Sequence, residues 1–208
     1  MTRRFLDIFS TPSIRAARAL NDGIRLDESA DSKRERLTPN EVQFISARDS
    51  FYMASVSENG WPYIQHRGGP TGFLRVLDDQ TLAFADFRGN RQYISLGNLT
   101  AHDRVALFLM DYPNRHRLKI LAHVEERKLE HHSKLAEKLA LPGYPANAER
   151  ALILNLDAYD WNCSRHITPR FTESELAVLL APISARIDRL ESENASLRAQ
   201  LAAKGNEE

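Results

Sequence analysis

The chain has 208 residues, enough for one substantial hydrophobic core with appendages. Lys and Arg together number 28, as do Asp and Glu, so the zero net charge gives no global attraction to nucleic acid or to membrane surfaces. The single cysteine, Cys163, excludes an intramolecular disulfide bond and a cysteine-ligated metal cluster.

Residues 1–36 are predicted to form a helical N-terminal extension. Their apolar residues are spaced as in short helices, and Asp7, Pro12 and Arg15 interrupt any continuous apolar run. This pattern is unlike a signal peptide, and no stretch approaches the ~18 apolar residues of a membrane-spanning helix. We therefore expect a soluble, cytoplasmic protein.

Residues 37–178 have the pattern of a mainly antiparallel β domain. A capping box of Thr38 and Glu41 begins a helix, and the Asn59-Gly60 pair predicts a hairpin turn. Short strands at close spacing with few helices between them indicate an antiparallel barrel. The predicted strands are 51–56, 62–67, 72–77, 81–87, 104–110, 117–128 and 151–161. The predicted helices are 38–49, 91–99 and 133–151, the last with a break at Pro142-Gly143.

Residues 179–208 are predicted to form a C-terminal helix that pairs as a coiled coil. Thr172 and Glu175 form the capping box of a preceding helix, and Pro182 is placed near the junction between the two helices. In the final helix, apolar residues alternate in steps of four and three, and a lone Asn at an a position favours two parallel strands in register. The alternative is an amphipathic helix packed on its own barrel. The a positions are Ile187, Asn194 and Leu201, and the d positions are Leu190 and Leu197.

Two strands end in polar loops that suggest a phosphate pocket. The second loop opens a helix, and a helix N-terminus offers free N–H groups and the positive end of a dipole. Glycines beside the first loop would allow a ligand to approach the backbone. The alternatives are a glycine bulge and an ordinary strand-to-helix turn with surface arginines. The residues concerned are Gln65, His66, Arg67, Gly68 and Gly69 in the first segment, and Arg88, Asn90, Arg91 and Gln92 in the second.

This order of parts resembles the flavin mononucleotide (FMN) site of the pyridoxamine 5'-phosphate oxidase-like split-barrel family. The segment QHRGGPTGFLRV resembles the stretch that supplies an arginine to FMN, and FADFRGNRQYISLGNL followed by DRVALFLMDY resembles the part that holds the phosphate. The resemblance covers residues 41–130 and implies a split β-barrel with flanking helices, bound FMN and a homodimer with sites between subunits. It puts Arg67 and its neighbours beside the flavin, Ala85 and Asp86 along the ring, and Asn90, Arg91 and Gln92 at the phosphate.

Two departures from the family pattern bear on the substrate. Gln92 stands where the family has a lysine, so the phosphate charge must be met by Arg88 or another residue. The C-terminal arginine motif that grips pyridoxal phosphate in the true oxidase is not evident. The substrate is therefore unassigned.

A second polar cluster follows the last strand. Trp161, Asn162 and Arg165 are expected to cover a flavin face across the dimer interface, as C-terminal segments do in this family. The alternative is a loop locked by Trp161 and Phe171. His166 is the best candidate for an acid or base because its unperturbed pKa is near neutral. No metal site is predicted.

The leading functional interpretation is an FMN-dependent oxidoreductase that acts on a small-molecule substrate or electron donor, with NAD(P)H as one candidate donor. The alternative is a non-catalytic flavin- or haem-binding or sensing protein built on the same barrel. Binding to nucleic acid is disfavoured by the neutral charge and the lack of a recognition motif.

Overall fold

The computed structural model describes residues 3–23, 33–161 and 165–205. The chain divides into two compact units, Met1–Ile167 and Thr168–Glu208. The division expected from the sequence at residues 36 and 178 stays a prediction. In the described part of the chain, no helix is long and apolar enough to cross a membrane.

The first unit consists of seven strands and five α-helices in the part that is described. Most strands lie within one or two residues of their predicted bounds. The helices are α1 (Arg3–Ile8), α2 (Pro12–Leu20), α3 (Pro39–Ser46), α4 (Ile94–Ala101) and α5 (Ser133–Leu139). The strands are β1 (Ser50–Val56), β2 (Pro62–Gly68), β3 (Arg75–Asp78), β4 (Thr81–Phe87), β5 (Arg104–Asp111), β6 (His116–Lys128) and β7 (Ala148–Trp161).

The strands form one antiparallel sheet in the order β2-β1-β5-β6-β7-β4-β3. Its two halves curl toward each other, because the ring of Phe51 in β1 lies 5.3 Å from that of Phe84 in β4 although these strands are not paired. This open, curled sheet with flanking helices confirms the predicted split barrel.

The hydrophobic core fills the inside of the curl. Side chains alternate between the two faces of a strand, so every second residue of each long strand points inward. Leu118, Ile120 and Ala122 of β6 share the inner face, and all three are buried. Each large apolar side chain buried in this way stabilises the fold by roughly 1.5–3 kcal/mol.

Several predicted boundaries were wrong, and left-handed backbone conformations explain two of them. Helix α4 begins at Ile94 instead of residue 91, because Arg91 and Tyr93 have left-handed backbone angles (φ 61° and 51°) that a helix does not accept. Strand β3 begins after the turn at Gly72, whose φ is 77°. The helical prediction over 133–151 is correct only for Ser133–Leu139, which lies before the expected break at Pro142-Gly143, and β7 has already begun at residue 148.

The second unit contains one helix, α6 (Glu173–Gly205). Its first turn has the expected capping box, because the Glu175 carboxylate accepts hydrogen bonds from the backbone N–H and the hydroxyl of Thr172. Pro182 lies inside this helix, so the predicted junction between two helices was wrong.

Candidate functional site: an arginine network beside helix α4

The predicted site is built around an ion pair that joins β2 to β4. Nη1 of Arg67 donates a hydrogen bond to Oδ1 of Asp86 at 2.5 Å. The two side chains are only 14% and 12% exposed, so this pair is largely removed from water. The structure therefore brings together residues of the two sequence segments that were assigned to one site.

A third residue, Arg150, completes the network. It is the register partner of Asp86 on β7, and its Nε lies 3.8 Å from Oδ2 of Asp86. Its Nη2 donates to Glu149 Oε2 at 2.8 Å, and its guanidinium carbon lies 5.4 Å from the centre of the Tyr93 ring. Arg150 was not predicted as a site residue, because its place beside Asp86 is set by pairing between strands more than sixty residues apart.

The network has unused hydrogen-bond donors. Nε of Arg67 and Nε of Arg150 are both buried, and neither has a hydrogen-bond partner in the described part of the chain. A buried polar atom without a partner is unfavourable by about 1–3 kcal/mol, so such atoms in a folded protein call for an explanation. Two guanidinium groups with free N–H donors fit a ligand that carries negative charge or polar acceptors.

Helix α4 is anchored over β1 and β2 by two hydrogen bonds. Ser95 Oγ donates to Gln65 Oε1 at 2.7 Å, and Asn98 Nδ2 donates to Ser55 Oγ at 2.9 Å. Ser95, Asn98 and Ser55 are buried, so these bonds fix how the helix lies across the sheet. These bonds were not predicted, because small polar residues on a short helix carry no local signal of a distant partner.

The loop before α4 holds the residues assigned to a phosphate. Tyr93 is the N-cap and gives no side-chain hydrogen bond to the helix, so the first N–H groups of α4 are not capped by it. Arg91 is exposed and has no ion-pair partner among the described residues, whereas Arg88 lies 3.7 Å from Glu149. Oδ1 of Asn90 accepts the backbone N–H of Gln92, which shapes the turn. Arg91 is thus the free cation nearest the start of α4 in sequence.

Two of the predicted flavin-binding residues point to the opposite face of the sheet from the arginine network, because side chains alternate along a strand. Arg67 and Gln65 point to the inner side of β2, while the ring of His66 lies on the outer side against Tyr52, 5.6 Å away. In the same way Ala85 points away from Asp86, into a small cluster that includes Leu139 of α5. Their assignments beside a flavin stay predictions, and only the backbone of each lies near the network.

Gly68, the last residue of β2, and Gly69 after it lie close to side chains of the same chain. A Cβ at Gly69 would come within 2.8 Å of the Phe73 ring, and its N–H donates to the Asp49 carbonyl. A Cβ at Gly68 would meet the His66 ring at 3.0 Å. Close packing by the chain itself therefore accounts for Gly69, whereas at Gly68 only the far end of the His66 side chain is in the way. β1 and β2 pair up to Gly68 without the register shift of a glycine bulge.

The second predicted cluster lies elsewhere in the same chain. Trp161 stands at the far end of β7, eleven residues from Arg150, which is on the order of 35 Å along the strand. Its Nε1 donates to Glu41 Oε1 at 2.6 Å, and its ring packs edge-on against Phe44 at 4.7 Å. Arg165 and His166 are exposed, and Asn162 and Cys163 lie outside the described residues. Within one chain, Trp161 therefore does not reach the arginine network.

Glu41 is the one clearly perturbed carboxylate beside Trp161. Burial raises the pKa of Glu41, but hydrogen bonds from Thr38 and Trp161 together outweigh that effect, so the net pKa is lowered. Glu41 therefore holds the end of β7 against α3 as a charged acceptor. In the part of the chain that is described, no group of three His, Cys, Asp or Glu side chains is arranged to hold a metal ion.

Comparison with known proteins identifies a sequence family. The family model described as pyridoxamine 5'-phosphate oxidase matches residues 37–153, which is more than half of the chain. A search of curated proteins returns no match.

Several solved structures are similar to this chain. A putative pyridoxamine 5'-phosphate oxidase from Lactobacillus delbrueckii is 22% identical, with 62% of this chain and 99% of that chain covered and a TM-score of 0.47. A protein from Clostridium acetobutylicum related to general stress protein 26 is 16% identical, with 65% and 94% covered and a TM-score of 0.46. An FMN-binding protein from Syntrophomonas wolfei is 14% identical, with 60% and 87% covered and a TM-score of 0.42. At such scores these likenesses assign no residue and no activity.

Proposed function

The chain belongs to the pyridoxamine 5'-phosphate oxidase family, and from this premise we propose that it is an FMN-dependent oxidoreductase whose substrate is unassigned. The observation that carries the proposal is the buried network of Arg67, Asp86 and Arg150, in which two Nε donors lack a hydrogen-bond partner among the described residues. The exposed Arg91 precedes α4 in the loop that follows β4. Those donors fit a ligand that has a phosphate at one end and a polar ring edge at the other.

In this proposal the loop before α4 binds the phosphate, and the arginine network binds the ring. Arg91 and the uncapped N–H groups of α4 bind the phosphate, with Gln92 contributing no charge. Arg67 faces the polar edge of the flavin, where a guanidinium stabilises negative charge. Asp86 fixes the orientation of Arg67 through their hydrogen bond, and Arg150 prevents Asp86 from carrying an unbalanced charge. Bound FMN would supply the capacity to accept a hydride or electrons from a reduced donor.

The predicted cluster at the end of β7 has its place in this proposal on a second copy of the chain. We include in the proposal that Trp161, Asn162 and Arg165 of one subunit cover the flavin held by the other. The distance along β7 supports this, because within one subunit Trp161 is packed against α3 and far from Arg150. His166 stays the proposed acid or base on the same segment.

The phosphate assignment is tested by titrating two ligands that differ only in the phosphate. Arg91→Ala should weaken FMN binding by about tenfold to a hundredfold, because a hydrogen bond to a charged group contributes roughly 1.5–3 kcal/mol. Riboflavin, which has no phosphate, should bind nearly as before. Arg67→Ala should weaken both ligands or shift the flavin absorption spectrum.

Arg115→Ala is the matched control for Arg91→Ala. Arg115 is also an exposed arginine with a left-handed backbone (φ 56°), so alanine meets the same conformational penalty at both positions. The control should leave both affinities unchanged. Equal weakening of FMN and riboflavin by Arg91→Ala, or no weakening of either, would show that the phosphate lies elsewhere.

One observation favours the alternative of a flavin-binding protein without turnover. The network consists of two Arg and one Asp side chain, and Glu149 and Tyr93 contact its Arg150. Among the described residues no His side chain contacts it, and His66 points to the other face of the sheet. The two functions are separated by mixing the FMN-loaded protein with NADPH or NADH without oxygen. Bleaching of the flavin followed by re-oxidation with an added acceptor supports the enzyme, and stable binding without bleaching by any donor supports the binding protein.

A further inference from the structure

Helix α6 carries an uninterrupted heptad seam that is longer than its sequence alone indicated. Because the helix continues through Pro182, the seam extends upstream of Ile187. It then includes Ile183 at a d position, Leu180 at an a position and Leu176 at a d position. From Leu176 to Leu201 the seam spans about 38 Å of helix. Its apolar members are 42% to 70% exposed, so a continuous apolar stripe is open.

Pro182 does not interrupt this stripe. It occupies a c position, which lies on the side of the helix away from the a and d positions. The carbonyl it leaves without a hydrogen bond is that of Val178, an f position whose side chain is 75% exposed. The defect therefore falls on the outer surface of the helix.

The charged residues beside the seam favour a parallel pair with a second copy of the same helix. Arg186 and Glu193 occupy g positions, and Glu191 and Arg198 occupy e positions. In a parallel, in-register pair, each g residue faces the e residue of the next heptad on the other helix. Arg186 would then face Glu191 of the other copy, and Glu193 would face Arg198. All four contacts of the symmetric pair are attractive.

An antiparallel pair does not satisfy the same charges. In an antiparallel pair, g positions face g positions and e positions face e positions. Arg186 would then meet Glu193 of the other copy only if the two-fold axis lay between residues 189 and 190. Glu191 would meet Arg198 of the other copy only if the two-fold axis lay between residues 194 and 195. The two positions of the axis differ by five residues, so no single antiparallel register forms both sets.

We propose that α6 binds α6 of a second copy of this chain as a parallel, in-register, two-stranded coiled coil. Asn194 then faces its own twin across the seam, where a polar a residue fixes register and strand number. The pairing is independent of any flavin, since none of these residues belongs to the arginine network. It would hold two sheet units to one another through their C-terminal helices.

Cysteine cross-linking of the full chain tests the register. In a Cys163→Ser background, single cysteines at the a positions, in Ile187→Cys, Asn194→Cys and Leu201→Cys, should each give a disulfide-linked dimer under mild oxidation. The control Ser192→Cys lies at an f position and should give at least tenfold less. No cross-link at the seam, equal cross-linking at residue 192, or cross-linking at only one seam position would overturn the proposal. Circular dichroism confirms that each variant retains its helix.

A charge exchange tests the orientation. In the Asn194→Cys background, Glu193→Arg or Arg198→Glu alone places like charges opposite each other and should slow cross-linking severalfold. The double variant restores opposite charges only if residue 193 faces residue 198 of the other copy. Recovery to at least half of the original rate supports the parallel register, and failure to recover refutes it.

Discussion

Replacing Asp86 with alanine should destabilise the sheet unit by about 3 kcal/mol. The change leaves Arg67 and Arg150, which are 14% and 13% exposed, as neighbouring cations with no carboxylate between them. Removal of one partner from a buried ion pair lowers the free energy of unfolding by roughly 3–5 kcal/mol, and the residual exposure here places the effect at the lower end. For a chain of this length, about 3 kcal/mol corresponds to a melting temperature lower by roughly 6–12 °C.

Thermal and urea denaturation of the purified protein measure this effect, with Asp79→Ala as the control. Asp79 also pairs with an arginine, Arg36, at 2.7 Å, but these side chains are 47% and 66% exposed. An exposed pair contributes about 0–1 kcal/mol, so the control should melt close to the wild type. Asp86→Asn, which keeps an acceptor oxygen for Arg67, should fall between the two. Equal melting temperatures for Asp86→Ala and Asp79→Ala would refute the importance of burial in this network.

Three further changes test other parts of the structure. The lowered pKa of Glu41 means that its carboxylate stabilises the fold fully above the unfolded value near 4.3, so the difference in free energy of unfolding between wild type and Glu41→Gln should shrink as pH falls from 7 to 3. A constant difference across that range would contradict this account. Asn98→Ala leaves the buried Ser55 hydroxyl without its donor and should lower the free energy of unfolding, measured by urea denaturation, by about 1–3 kcal/mol. An unchanged free energy of unfolding would show that this hydrogen bond does not stabilise the fold. Pro182→Ala should raise the midpoint of helix melting at 222 nm, because a proline inside a helix is unfavourable by ~3 kcal/mol, and an unchanged midpoint would argue against a continuous α6.

Local signals in the sequence determined most of the secondary structure. The capping box at Thr38 and Glu41 is formed, with the Thr38 N–H donating to the Glu41 carboxylate at 2.9 Å. Gly60, in the predicted hairpin turn, has the left-handed φ of 86° that such a turn requires. These features involve residues within a few positions of one another, so the chain specifies them before any distant contact forms. The split barrel followed from them and from the resemblance of the segments around Arg67 and Arg91.

Only the tertiary structure decided which of the predicted residues meet. Arg150 reaches Asp86 because β4 and β7 pair in one register. A shift of that register by one residue would place the Arg150 side chain on the opposite face of the sheet from Asp86. The same alternation turns His66 away from Arg67. Such choices depend on the packing of the whole sheet, and no short stretch of sequence contains the information.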